Sequence, residues 1–457
     1  MIYQLTPSDQ ALKELKSLLG KRLLDREEDL YPYAFDASSL TFLPAAVALP
    51  ETKEEVLEIL KLADRYNFAV TPRGSGTATT GSPLSILGGL VVSFARMNRI
   101  LELNVDDRTV IVEPGVLNGD LKRELKKHRL FYPPDPASYA FSTIGGNVAT
   151  GAGGPRGLKY GTTKDYVLSL LVGLIGGSRL KTGPGTLKGV VPYNLTPLFV
   201  GSEGTLGLFL EIQLKLIPLP EKRVLFLTYF DSEISALALL KDILLKGITP
   251  ACAEFIDRTS LLALRKKLSF IDSNTEALLL IEIDGTEREV EDTKERVEKI
   301  FRENKVAFER AEEERNIEEM WEVRRSMSPS MRNLGSKKIS DDVVVPRRAL
   351  EEFLMFLREL EKRADFYISA YGHAGDGNFH VNLIYSEGQE EEAKKTREVI
   401  LSKVLDLAGT LSGEHGVGYT KRNYLLWELD EVQLELMRKI KALFDPKGLL
   451  NPHIKIP

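Results

Sequence analysis

Two short stretches hold three of the chain's five histidines beside a carboxylate, side chains that ligate metals and transfer protons. YGHAGDGNFH, residues 371–380, carries His373 and His380; SGEHGVG, residues 412–418, carries Glu414 and His415. The chain has five histidines, so three in these stretches is a concentration. Two imidazoles and a carboxylate form a common catalytic metal set that leaves coordination positions open for substrate. Histidine is also the side chain that exchanges a proton near pH 7 with least tuning. A plain structural reading stands beside this one. On one straight strand the odd spacing of His373 and His380 sends the imidazoles to opposite faces. Gly375 and Gly377 permit a bend or bulge that turns both to one side, or the stretch is a surface hairpin whose histidines never meet. The first motif alone leaves these open. The second cluster, again in glycine-flanked backbone, favours the metal set.

Glycine loops suggest a different chemistry. In PRGSGT (72–77), Gly74 and Gly76 free a row of backbone N–H groups beside Arg73, an arrangement suited to a pyrophosphate. The G-x-G-x-x-G dinucleotide fingerprint is not met, since no glycine stands at 79 and no long helix follows. TIGGNVATGAGGPRGLKYG (143–161) and FVGSEGTLG (199–207) are two further loops whose glycines let backbone approach a ligand closely. Three such loops in one domain point to a large, phosphate-bearing cofactor.

The elements that must position these residues are legible in outline. At 457 residues the chain exceeds one ordinary core. Residues 1–30 carry a helical pattern. Residues 50–77 read helix, strand and glycine-rich turn, with Thr52 and Glu55 as a capping box. Strands at 88–116 turn at Asp106-Asp107, a short helix covers 117–131, and irregular glycine-rich chain runs over 132–161. Strands return at 166–176 and around 201–220. Pro218 and Pro220 mark a boundary, beyond which strands and helices alternate as in a ferredoxin-like α+β domain. Charged residues at 286–319 fall at helical spacing with Val290, Val297 and Ile300, a solvated helix face. Helices at 390–408 and 430–444 flank SGEHGVG.

Composition excludes several classes. Apolar residues make up 43% and the net charge is −5 with no basic stripe, so the chain reads as globular, without a nucleic-acid or anionic-membrane footprint. The single Cys252 excludes internal disulfides and any cysteine-ligated Fe–S cluster or zinc ribbon within this chain. The N-terminus lacks a signal-peptide pattern, and the longest apolar run, LSLLVGLIGG, is too short to span a bilayer. The expected location is cytoplasmic, with docking at a membrane through a partner left open.

PRGSGT, RMNRILELN, VEPGV, YPPDPAS, TIGGNVATGAGGPRGLKYG, LFVGSEGTLG, YGHAGDGNFH, SGEHGVG and FDPKGLLNP occur in this order across essentially the whole chain. The ordered set closely resembles the flavin-dependent D-2-hydroxyacid dehydrogenases, the D-lactate dehydrogenase and glycolate oxidase flavin-subunit type within the vanillyl-alcohol-oxidase superfamily. The resemblance implies an α+β fold. Residues 1–218 would form a two-part FAD-binding domain of the p-cresol methylhydroxylase type, 219–405 a ferredoxin-like substrate (cap) domain, and 406–457 a helical segment returning to the flavin.

It also implies FAD, with Arg73, Gly74, Ser75, Gly76 and Thr77 at the pyrophosphate. Pro134, Asp135, Ala137, Ser138, Gly145, Gly146, Asn147 and Gly154 would line the rest, with Gly201, Ser202, Glu203 and Gly204 close by and Asn451 returning from the C-terminus. No histidine lies between 72 and 82, so FAD is expected to be noncovalent. The sequence departs from the family at Pro192 and Asn194, where glycine and aspartate are usual, and at Ser75, where a third glycine is usual.

By the same resemblance, His373, His380 and Glu414 hold a divalent metal, zinc by preference, with manganese or iron also fitting, and His415 is the catalytic base. The implied reaction is oxidation of a small D-2-hydroxy acid, D-lactate or glycolate favoured, to the 2-oxo acid. The metal acts as Lewis acid on the substrate oxygens, His415 takes the hydroxyl proton and hydride passes to flavin N5. Arg324 matches the family's carboxylate-binding arginine, a role a planar guanidinium suits; spacing alone would make Arg324 and Arg325 ordinary helix-surface charges. Ser328 and Asn382 match further substrate contacts, and Asp376 and Asn378 shape the turn or orient the histidines. Electrons must leave to a partner: an Fe–S subunit, an electron-transferring flavoprotein, or a quinone or cytochrome. A homodimer is open. Rival readings are a D-2-hydroxyglutarate dehydrogenase, with Arg332, Lys337 and Lys338 as candidate cations for a second carboxylate, an O₂-using oxidase, a non-redox flavin enzyme like the alkylglycerone-phosphate synthases, and a non-enzymatic binding subunit.

Overall fold

A computed structural model of the chain describes residues 5–265 and 271–456; residues 1–4 of the expected N-terminal helical stretch lie outside these. The chain divides into two units. The first comprises 1–152, 162–219 and 414–457; the second comprises 153–161 and 220–413. The crossing at 219/220 lies one residue from the expected boundary. The sequence reading placed 153–161 with the FAD-binding part, whereas here it folds with the second unit, and the C-terminal segment rejoins the first unit at Glu414 instead of 406.

The first unit contains a mixed sheet of β1 (Leu23–Leu24), β2 (Ala46–Ala48), β3 (Val70–Arg73) and β4 (Leu90–Ser93), in the order β1-β2-β4-β3. Helices Asp9–Leu19 and Lys53–Tyr66 bury Ala11, Leu15, Val56, Ile59, Leu60 and Ala63 in the same core as Val70, Leu90 and Val92. Thr52 caps the second helix, accepting the Glu55 N–H at 3.2 Å. The expected capping box is only half formed, because the Glu55 carboxylate takes Arg22 at 2.5 and 2.6 Å and the Glu51 N–H. A bidentate arginine outcompetes a neutral amide for a carboxylate.

An antiparallel sheet follows, in the order β5-β6-β10-β8-β9, from β5 (Ile100–Asn104), β6 (Thr109–Val112), β8 (Val167–Gly173), β9 (Arg179–Thr182) and β10 (Leu208–Lys215). Its core gathers Leu121 and Leu125 of helix Asn118–Lys127 and Ile144 and Val148 of helix Ile144–Thr150. Two short strands, β7 (Leu130–Phe131) and β11 (Ile217–Pro218), pair beside it.

In the second unit seven strands form one antiparallel sheet: β12 (Lys222–Phe230), β13 (Cys252–Ile256), β14 (Ala277–Gly285), β15 (Ala307–Ala311), β16 (Lys337–Val344), β17 (Tyr367–His373) and β18 (Asn378–Tyr385), in the order β15-β12-β14-β13-β17-β18-β16. This is larger than a ferredoxin-like sheet. One face packs Ile256, Leu278, Leu280 and Tyr371 with Ile317 and Trp321 of helix Glu314–Arg325. On the other, Phe255 and Phe379 meet Phe353 of helix Leu350–Glu361. Helix Glu287–Glu303 buries Val290, Val297 and Ile300 and leaves its charges outward, as its spacing requires. Among the described residues no helix is long and apolar enough to cross a membrane.

Candidate active site

In the second unit, strand register builds the site. β17 and β18 form a hairpin in which His373 pairs with Asn378 and Tyr371 with His380. Paired residues share a face, as do residues two apart on one strand, so His373 and His380 are diagonal neighbours on one face. Their rings lie 5.2 Å apart at 87°. The stretch is therefore a hairpin, as the plain reading held, yet its histidines do meet, because the odd separation spans a turn and not a single strand. The same face carries Asp342 of β16, opposite His380, and Glu254 of β13, one step beyond the paired Phe255 and Gly372.

Glu254 is fully buried; its Oε1 lies 2.6 Å from His373 Nδ1 and its Oε2 accepts Arg324 Nε at 2.6 Å. Burial works to raise its carboxyl, but the charges and hydrogen bonds of His373 and Arg324 outweigh this and hold it at about 2. Arg324 is thus no surface charge. Its guanidinium sits 4.8 Å from the Tyr371 ring centre, whereas Arg325 stays outside with Glu318 and Glu322. Among the described residues the terminal nitrogens of Arg324 donate no hydrogen bond. The Tyr371 hydroxyl has Ser328 and Asn382 as hydrogen-bonding neighbours, and burial raises its pKa. Ser328 also accepts Lys338 Nζ at 3.2 Å, and Asn382 donates to the His380 carbonyl at 3.1 Å.

Asn378 donates to Asp342 Oδ1 at 2.7 Å and to the Val343 carbonyl, so it orients this carboxylate and not an imidazole. Asp376 accepts the Asn378 N–H at 3.3 Å across the turn. Sequence reading missed Glu254, Asp342 and Tyr371. Tyr371 opens the quoted motif, but the two carboxylates lie in strands whose register no local pattern reveals.

The first unit holds the glycine loops. The N–H groups of Ser75, Gly76 and Thr77 donate no hydrogen bond among the described residues, leaving them for an anion. Arg73 turns inward: it donates to the Phe35 carbonyl at 2.8 Å and to those of Pro32 and Pro83, so its side chain braces the loop. Gly74 lies against Thr143, where a side chain would collide. Gly145 crosses Pro114 so closely that a Cβ would stand 2.6 Å from the proline ring. Asn147 Nδ2 and Ser202 Oγ are buried with no protein partner. Buried donors left unpaired are costly unless a ligand satisfies them, so these residues fit a polar cofactor.

Of the other loop positions, Pro134 is buried and accepts Asn118 Nδ2 at 3.1 Å. Ser138 accepts the N–H groups of Phe141 and Ser142, and Asp135 and Ala137 lie beside it, at least partly exposed. Gly146 caps onto Thr143, and Gly201 and Gly204 adopt φ of +77° and +73°. Gly154, at φ +142°, belongs to the second unit. Pro192 and Asn194 lie on exposed chain ahead of helix Thr196–Phe199.

His415 lies in the first unit beside Glu414, its Nε2 3.8 Å from Glu414 Oε1. Buried Glu203 accepts the N–H groups of Val417 and Gly418 at 3.0 and 2.8 Å and so fixes the backbone after His415. Asn451 donates to the carbonyls of Ser82 and Glu203, tying the C-terminal return to the 199–207 loop and to the chain just beyond 72–77.

The family model described as "FAD binding domain" matches residues 44–183, and that described as "FAD linked oxidases, C-terminal domain" matches 219–454. The chain belongs to the FAD-linked oxidases. It is an FAD-dependent oxidoreductase of that family. The glycolate oxidase subunit GlcD of Bacillus subtilis is 37% identical over 92% of this chain and 91% of its own. The D-lactate dehydrogenase of Anaerostipes hadrus is 33% identical over 97% and 96%. Among solved structures, p-cresol methylhydroxylase with substrate bound matches with a TM-score of 0.81 at 17% identity over 98% of this FAD-linked oxidase and 96% of that chain. An alkyldihydroxyacetonephosphate synthase matches with 0.77 at 20% over 99% and 88%. These structural matches give the expected fold class.

Proposed function

We propose that this FAD-linked oxidase oxidises a small D-2-hydroxy acid, D-lactate or glycolate by preference, to the 2-oxo acid. The observation that carries the reading is the second unit's sheet face, where Glu254 joins Arg324, its terminal nitrogens uncommitted, to His373, whose ring meets that of His380. A planar cation for a carboxylate next to metal-ligating side chains is what a 2-hydroxy acid requires. The curated relatives named as glycolate oxidase subunit and D-lactate dehydrogenase support the same class.

Each residue has a defined role. Arg324 binds and orients the substrate carboxylate, with Ser328, Tyr371 and Asn382 shaping the neighbouring polar surface. His373, His380 and Glu414 are the ligand set for a divalent ion, zinc fitting imidazole and carboxylate, and Asp342 stands in register with His380. A bound ion supplies Lewis acidity that lowers the substrate hydroxyl pKa. His415 takes the hydroxyl proton onto its imidazole. Bound FAD supplies the acceptor for the α-carbon hydride, leaving the 2-oxo acid, and the electrons pass onward to an external partner. The N–H groups of residues 75–77 and the side chains of Asn147 and Ser202 are the polar groups offered to the flavin nucleotide.

The test is anaerobic titration of the purified holoprotein with D-lactate, glycolate, D-2-hydroxyglutarate and L-lactate, following the flavin absorbance with and without chelator. Bleaching by one D-acid, lost on chelation, is the expected result. No bleaching by any acid, with FAD and metal bound, would overturn it. Preference for D-2-hydroxyglutarate would assign Lys338, beside Ser328, to a second carboxylate.

A further inference from the structure

We propose that Glu254 is a positioning residue shared by the two ends of the substrate site: it holds the His373 ring at Nδ1 and clamps Arg324 at Nε, leaving both terminal guanidinium nitrogens for the substrate carboxylate. The inference rests on the hydroxy-acid reading and adds a coupling to it.

The geometry comes from the sheet. Glu254 follows the β13–β17 register to stand beside His373, and helix Glu314–Arg325 is anchored on the same face by Trp321 Nε1 donating to Glu282 Oε2 at 2.8 Å. Trp321 and Arg324 are one helical turn apart, so this anchor delivers the guanidinium to Glu254. The arginine Nε is a permanent donor and commits one carboxylate oxygen. The other oxygen lies 2.6 Å from His373 Nδ1 and so sets the orientation of that ring.

Stability does not explain why this position is charged. A buried ion pair is often replaceable by apolar side chains at no cost, and Glu254 lies on the sheet face whose neighbours Ile256, Leu278 and Leu280 pack apolar. The carboxylate is accounted for by what it orients. Because one group holds both partners, a change at Glu254 acts on metal binding and substrate binding together.

The experiment compares wild type, Glu254→Gln, Glu254→Asp and Arg324→Ala as FAD-loaded proteins. Zinc affinity is measured by competition with a chromophoric chelator, KM and kcat with the acid that bleaches the flavin, and folding by thermal melting. The expected result is a zinc affinity about 10–100-fold lower in Glu254→Gln, together with a raised KM, at unchanged FAD content. Arg324→Ala should raise KM alone. Glu254→Asp should recover one partner better than Glu254→Gln does. Zinc affinity and KM both at wild-type values in Glu254→Gln would overturn the proposal, as would loss of only one of them or a change in melting alone. Failure of the hydroxy-acid reading is separate: wild type itself would not be reduced by any acid, whatever its zinc affinity.

Discussion

Asp342 Oδ2 accepts the backbone N–H of Gly413 at 2.9 Å, one peptide bond before Glu414. Ser412 donates to the same oxygen at 3.2 Å, while Asn378 holds the other. A buried carboxylate in line with His380 thus fixes the backbone that leads into Glu414. Asp342→Ala should therefore release that entry and lower metal affinity by about 10–100-fold. Metal content after exhaustive buffer exchange, against the wild type, checks it.

His415→Ala should slow flavin reduction by about 10²–10⁴-fold, the usual worth of a positioned general base. FAD content should stay at the wild-type level, because Glu203 holds the Val417 and Gly418 backbone independently of the imidazole. Stopped-flow reduction at saturating acid is the measurement.

Arg324→Lys keeps the charge but loses the planar fork, and its ammonium cannot serve Glu254 and a carboxylate in the same geometry. One charge-assisted hydrogen bond is worth about 1.5–3 kcal/mol, so kcat/KM should fall roughly 10–100-fold, mostly through KM.

Asn147→Ala should separate cofactor binding from folding. Its Nδ2 is buried without a protein partner, so removing it costs the apoprotein nothing in hydrogen bonding and can raise its melting temperature. FAD affinity should fall by roughly 10-fold, the worth of about one hydrogen bond. Calorimetric FAD titration of the apoprotein and its melting curve decide the matter.

Alkaline stability should depend on Tyr166. Burial, assisted by Asp165, pushes its phenol up to about 12. The native pKa lies above the unfolded one, so the unfolded chain loses this proton first. The stabilisation is complete below about 10 and is lost as pH rises towards about 12. Denaturant midpoints of the wild type should fall across this window more steeply than those of Tyr166→Phe.

By itself the sequence determined the helices and strands whose period and caps are local, such as the 53–66 helix behind Thr52 and the charged helix that buries Val290 and Val297. It also determined the glycine loops, since backbone that must pass Pro114 or Thr143 closely admits no side chain, and the ordered motifs that announce an FAD-linked oxidase. What tertiary structure decided is register and partnership. Whether His373 and His380 share a face depends on where the 374–377 turn places one strand against the next. Glu254 and Asp342 enter the site only because β13 and β16 align on that hairpin, pairings that span more than thirty residues of chain. Glu55 was misread for the same reason: Arg22, remote in sequence, competed for it. Arg324 and Arg325 look alike in sequence, and one turn-position of helix packing gave one of them Glu254 and the other the solvent. Local physics sets the periods and permitted turns; non-local pairing chooses which side chains meet.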